Sequence, residues 1–111
     1  MKICLIGSSR FKALYDDWNR RLTLQGHIVY SIATVSTGDQ LPADDKMVLD
    51  LVHLRKIQES DAVVLITDNS NYFGESTRHE LIWAQMNAKT VFHCQDDKVH
   101  PAFAEPREIL A

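Results

Sequence analysis

The apolar positions follow two different periods, and the period changes at turn-forming residues. Lys2 to Gly7 contains the unbroken apolar run Ile3-Cys4-Leu5-Ile6 and stops at a glycine. So short a run, without polar alternation, predicts a strand buried on both faces. Phe11, Leu14, Tyr15, Trp18 and Leu22 then recur at helical spacing, separated by Lys12, Asp16, Asp17, Arg20 and Arg21. That pattern predicts an amphipathic helix with its stripe toward a core, stopped at Gly26. His27 to Ala33 is β-branched and aromatic and predicts a second strand. Thr34 to Asp44 is rich in Ser, Thr, Gly, Asp and Pro and predicts a long loop of the kind that often binds ligands. Asp44 or Asp45 is the expected cap of a second helix, with Met47, Leu51, Leu54 and Ile57 as its buried stripe. Asp61 to Thr67 is the clearest strand, and Asp68 to Gly74 a polar turn. Ser76 or Thr77 is expected to cap a third helix reaching about Ala88, before a fourth strand from Thr90 to Cys94. Beyond Gln95 the pattern fades: Asp96-Asp97-Lys98 reads as a turn, and Pro101 and Pro106 interrupt regular structure.

The resulting order, β-α-β-α-β-α-β, predicts an α/β fold. It is a three-layer Rossmann/flavodoxin-like sandwich around a mainly parallel sheet of four or five strands. The 111 residues suit one domain over positions 1–111, large enough to bury a core without disulfide or metal staples. No apolar run is long enough for a membrane helix. The net charge of −3 gives no electrostatic footprint for duplex nucleic acid, which leaves small molecules as partners. Cys4 and Cys94 lack CxxC spacing and read as reduced core thiols of a cytoplasmic protein. The five histidines form no HExxH or HxxxH pair, so neither a metal nor another cofactor is expected.

Parallel sheets bind ligands beyond the carboxyl ends of their strands. That rule selects Gly7-Ser8-Ser9-Arg10, the loop after Ala33, and the segment from Asp68 to Glu80. In the first, a glycine turn opening a helix can cradle an anion or a sugar, with Arg10 as a charged arm. A tight turn with a serine cap explains the same residues. The turn is neither GxGxxG nor GxxxxGK[ST]. In the third, Asp68 ends a strand, and Tyr72, Gly74 and Ser76 precede a helix start that carries Glu80. Glu80 is either a carboxylate placed for chemistry or the last member of a capping box opened by Thr77. Tyr15, Trp18 and Trp83 read as core. A flavin carrier would need a richer phosphate loop than Ser8-Ser9.

Three segments together resemble the nucleoside 2-deoxyribosyltransferase family and its deoxynucleoside-monophosphate N-glycosidase relatives. They are Gly7-Ser8-Ser9-Arg10, Ser60-Asp61-Ala62-Val63-Val64, and Tyr72 to Ala84 followed by Lys89. The resemblance spans roughly residues 2 to 94 and is nearest to a small bacterial and phage branch. It implies that Glu80 is a nucleophile that displaces the base from a sugar, with water or a second base resolving the glycosyl ester. It implies that Gly7 to Arg10 hold sugar or phosphate, and that Gly74 and Ser76 approach the 5′ group. Where the family often has a helix-two aspartate this chain has His53, a donor to base or sugar or else a half-buried helix histidine, with Asp50 as fallback acid. The resemblance also implies a homodimer. The alternative is a non-catalytic module of the same fold that binds a nucleotide or nucleotide-sugar.

Overall fold

The computed structural model describes residues 1–32 and 42–99. Its elements are β1 (Lys2–Gly7), α1 (Lys12–Leu24), β2 (Ile28–Tyr30), α2 (Ala43–Glu59), β3 (Ala62–Thr67), α3 (Glu75–Met86), β4 (Thr90–Gln95) and β5 (Lys98–Val99), with one 3-10 turn at Ser9–Phe11. The sheet order is β2-β1-β3-β4-β5. The first four strands are parallel, and β5 pairs antiparallel with β4.

β1 and β3 occupy the middle of the sheet, which explains their unbroken apolar runs. Ile3 to Ile6 and all of β3 are buried. Ile3, Leu5, Val64, Ile66, Phe92 and Cys94 pack against Tyr15, Trp18 and Leu22 of α1 on one face. Cys4, Ile6, Val63 and Leu65 pack against Ile57 of α2 and Ala84 of α3 on the other. Each such aliphatic side chain contributes about 1.5–3 kcal/mol on burial, so the two layers carry most of the stability. α1 is also pinned to the β4–β5 turn. Trp18 Nε1 donates to the Asp96 carbonyl at 2.7 Å, and Arg21 stacks 3.8 Å over the Trp18 ring while donating to the Asp97 carbonyl. At the opposite end of the sheet the Asp61 carboxylate accepts from the Lys2 amide at 2.8 Å, joining β1 to β3. Among the described residues no helix is long and apolar enough to cross a membrane, and no group of three potential ligands could hold a metal ion.

Tyr15, Trp18 and Leu22 form the expected buried stripe of α1 with Leu14 packed beside them, whereas Phe11 lies in the 3-10 turn before the helix; Gly26 follows the helix end at φ +97°. Other expectations need correction. β2 is only three residues long because it is an edge strand with Ile28 half exposed, and Ala33 lies outside the described residues. Most of the loop expected over Thr34–Asp44 lies outside them as well. α2 begins at Ala43 after Pro42, so Asp44 and Asp45 sit inside its first turn rather than capping it. The expected α2 stripe is half wrong: Met47 and Leu51 are exposed, and the inward positions are His53 and Ile57, with Leu54 partly buried. α3 starts one residue before Ser76, with Gly74 at its N-cap and no side-chain cap bond, and it ends at Met86. β4 extends to Gln95, and the turn after it leads into β5.

Candidate active site

Gly7 ends β1 at φ +149°, a conformation that side-chain-bearing residues rarely adopt. A β-carbon there would stand 2.5 Å from the Ile66 carbonyl oxygen and 2.9 Å from the Tyr15 hydroxyl. The glycine is therefore required twice, by its backbone angle and by its neighbours. Ser8 follows in extended geometry, and its Oγ accepts from the Arg10 amide at 3.3 Å, opening the 3-10 turn. The serine-cap reading of this turn thus holds, while its backbone still stands at the carboxyl end of a central strand.

Across from that turn, α3 delivers Glu80 and α2 delivers His53. Their side chains are 15% and 10% exposed, and His53 Nε2 lies 2.9 Å from Glu80 Oε2. An ionised carboxylate only accepts, so Nε2–H is the donor. Because Gly74 occupies the N-cap, Thr77 lies in the first turn of α3, and Glu80 does not reach back to cap it. The capping-box reading of Glu80 is overturned. Cys4 Sγ lies 3.9 Å from the same His53 nitrogen. Burial, reinforced by the Glu80 charge and opposed by Lys56, pushes the Cys4 thiol up to about 12. That thiol stays protonated and is no nucleophile at neutral pH.

Glu80 and His53 meet in a cleft of about 570 Å³, with Cys4 buried behind them. Of the ten residues singled out from the sequence, Gly7, Ser8, Ser9, His53, Gly74, Ser76 and Glu80 line it. The leading turn of α3, which has no side-chain cap, forms part of the wall, so its positive dipole end faces the same space. Arg10, Asp68 and Tyr72 form a separate group beside the lining. The Arg10 guanidinium lies 3.9 Å over the Tyr72 ring, and Phe11 meets that ring edge-on. Asp68 accepts from the Ser70 hydroxyl and amide, which with the nearby Arg10 charge hold its carboxyl below the usual range.

No family model matches the chain, and no curated protein matches it. Solved structures do. The 2-deoxyribosyltransferase of Bacillus psychrosaccharolyticus aligns with a TM-score of 0.67 at 20% identity, over 86% of this chain and 72% of that one. The CMP N-glycosidase BcmB of Clostridium botulinum aligns at 0.60 and 18%, over 86% and 71%. The 2-deoxyribosyltransferase of Leishmania mexicana aligns at 0.62 and 15%, over 85% of this chain and 63% of that one. The chain has the 2-deoxyribosyltransferase fold.

Within that fold, sequence reasoning missed several cleft residues. Lys46, Leu49, Val52, Lys56 and Thr77 all line it. Lys56 Nζ donates to the Ser31 carbonyl at 2.9 Å, and Lys46 pairs with Asp50 at 3.1 Å. No motif marked them. The four on α2 share a signal only through the His53 side of that helix, which a stripe of Met47 and Leu51 hides; Thr77 belongs to the first turn of α3.

Proposed function

We propose that the protein cleaves the N-glycosidic bond of a nucleoside or nucleotide, with Glu80 as nucleophile. The observation that carries this reading is the Glu80–His53 pair, mostly buried at the wall of a cleft whose opposite side is the Gly7 turn. Enzymes of the same fold act in nucleoside chemistry by their names, a 2-deoxyribosyltransferase and a CMP N-glycosidase. A Glu80 oxygen bonds to the anomeric carbon as the carbon–nitrogen bond breaks. The electron pair leaves with the base, which takes a proton from solvent. Water then adds to the anomeric carbon, loses a proton and frees the carboxylate, or a second base does so and the reaction is a transfer.

His53 fixes the carboxylate through Oε2, which supports its role as a positioning group, and leaves Oε1 for attack. Gly7, Ser8, Ser9 and the leading turn of α3 with Gly74 and Ser76 offer backbone amides and hydroxyls to the sugar and any 5′ phosphate. Arg10 stands beside that turn, and with Asp68 and Tyr72 it closes the group around the sugar end. The working form is a homodimer. Met47, Val48, Leu51 and Val52 form an exposed apolar stretch of α2 that runs into the cleft lining at Leu49 and Val52, so a second copy seated there also borders the cleft.

The test is base release from a mixture of deoxynucleosides, deoxynucleoside monophosphates and their ribo counterparts, read by chromatography. Wild type is expected to release base, and Glu80→Ala to lose more than about a thousandfold. Undiminished release by Glu80→Ala would sink the reading.

A further inference from the structure

Different elements bring different chemistry to the cleft wall. Hydroxyls and backbone amides come from the Gly7 turn and from the leading turn of α3. The other side, built by α2 and by Ile32 after β2, is apolar at Ile32, Leu49 and Val52 and carries a cation at Lys56. With the first set given to the sugar end, the second is left for the base. Apolar walls suit the faces of any flat base and do not tell one from another. Lys56 can.

His53 and Lys56 are three residues apart on α2, so they share a face of that helix, with β-carbons about 5–6 Å apart. His53 touches Glu80 at 2.9 Å, which places Lys56 one helical step beyond the pair. Its side chain is half-buried, and Nζ donates to the Ser31 carbonyl at 2.9 Å, which ties the long stem to the end of β2. The other lysine of the cleft, Lys46, is neutralised by Asp50 at 3.1 Å. Lys56 has no carboxylate partner among the described residues. An ammonium has three donors, and the Ser31 bond uses a single one. A half-buried cation without a counter-charge has given up hydration, and an acceptor on a ligand restores the missing bonds.

Resting on the reading of the cleft as an N-glycosidic-bond site, we infer that Lys56 is a specificity-determining residue that selects a base with an oxo group on its far edge, such as uracil, thymine or hypoxanthine, over its amino counterpart. An oxo oxygen accepts from the ammonium, whereas an amino group sets donor against donor. The contact also strengthens during the reaction. As the carbon–nitrogen bond breaks, the electron pair stays with the base and spreads onto the oxo oxygen, where the lysine charge opposes its build-up. The lysine keeps its proton, and the base takes its own from solvent.

The test compares pairs that differ at that group alone: deoxyuridine with deoxycytidine, and deoxyinosine with deoxyadenosine, each as nucleoside and as 5′-monophosphate. The ratio is read in the pair that wild type cleaves faster. The oxo member is expected to lead by about tenfold or more in kcat/KM, the least that a hydrogen bond to a charged group gives. Lys56→Met keeps the stem and removes the donors, and is expected to bring the ratio to within about twofold of unity. A lysine that only ties α2 to β2 would lower both members alike and leave the ratio intact. Lys56→Gln, whose amide both donates and accepts, is expected to reduce the ratio too and serves if the methionine variant fails to fold. Equal cleavage of both members by wild type, or a wild-type ratio in the variants, overturns the inference. Absence of base release from wild type overturns the proposed function instead. Calorimetric titration of the same pairs into wild type and Lys56→Met then decides the role of Lys56: tighter binding of the oxo member, lost in the variant, upholds it, and equal binding or none overturns it.

Discussion

Gly7→Ala would put a methyl group 2.5 Å from the Ile66 carbonyl oxygen, on a backbone with φ +149°. Backbone cannot retreat as a flexible side chain can, so the substitution is expected to destabilise the fold by about 2 kcal/mol or more, measured by urea denaturation. His53 makes the opposite kind of contribution. His53→Phe keeps a ring of similar breadth and removes the Nε2–H donor to Glu80. It is expected to preserve the fold by circular dichroism and to lower base release about tenfold or more. Single residues were unevenly legible in the sequence. Gly7 was legible as a turn, because a glycine ending an apolar run marks where a strand gives way to a tight turn. Glu80 was ambiguous, because a glutamate three residues after a threonine also fits a capping box. The placement of Gly74 at the N-cap removes the capping-box reading. Tyr15 read as core and is core.

Elements were legible where one period ruled. α1 packs a single sheet face, so its stripe from Leu14 to Leu22 is simple and legible, and only Phe11 falls outside the helix. α2 carries two apolar faces. Ile57, with Leu54, meets the sheet and α3, whereas Met47, Val48, Leu51 and Val52 point to solvent, and the inward position between them belongs to His53. A pattern reader prefers methionine and leucine to histidine, and here that preference selects the wrong face. The two faces make different predictions. Ile57→Ala leaves a cavity in the core and is expected to cost about 2–5 kcal/mol. Leu51→Glu touches no core contact and is expected to leave the melting temperature of the monomer unchanged. Its effect should appear in sedimentation, as conversion of a dimer to a monomer. Leu51→Glu sedimenting as wild type would remove this face from the proposed dimer interface. β5 escaped sequence reading because a two-residue strand after a two-residue turn carries no period at all.

For the whole molecule, the two buried thiols set a pH dependence. Burial pushes both Cys4 and Cys94 from an ordinary value near 9 up to about 12. The unfolded chain therefore releases these protons first as pH rises. The stability they contribute is complete below about pH 9 and is lost progressively toward pH 12. The slope is up to about 1.4 kcal/mol per pH unit for each thiol. Unfolding free energies measured in urea between pH 8 and 11 should decline, and Cys94→Ala should lessen the decline by about one proton. An equal slope in that variant would contradict the burial argument. The topology has a kinetic consequence as well. β1 lies between strands that are both distant along the chain, with Lys2 opposite Ile28 and Ile3 opposite Ala62. Neither pairing can form by local zippering. Each must wait for the closure of a long intervening loop, and the loop that brings β3 to β1 contains the whole of α1 and α2. Refolding is therefore expected to be slow for a chain of this size, in milliseconds or longer. Until β3 arrives, the apolar edge of β1 is open to pairing with other chains, so recovery of refolded protein should fall as its concentration is raised.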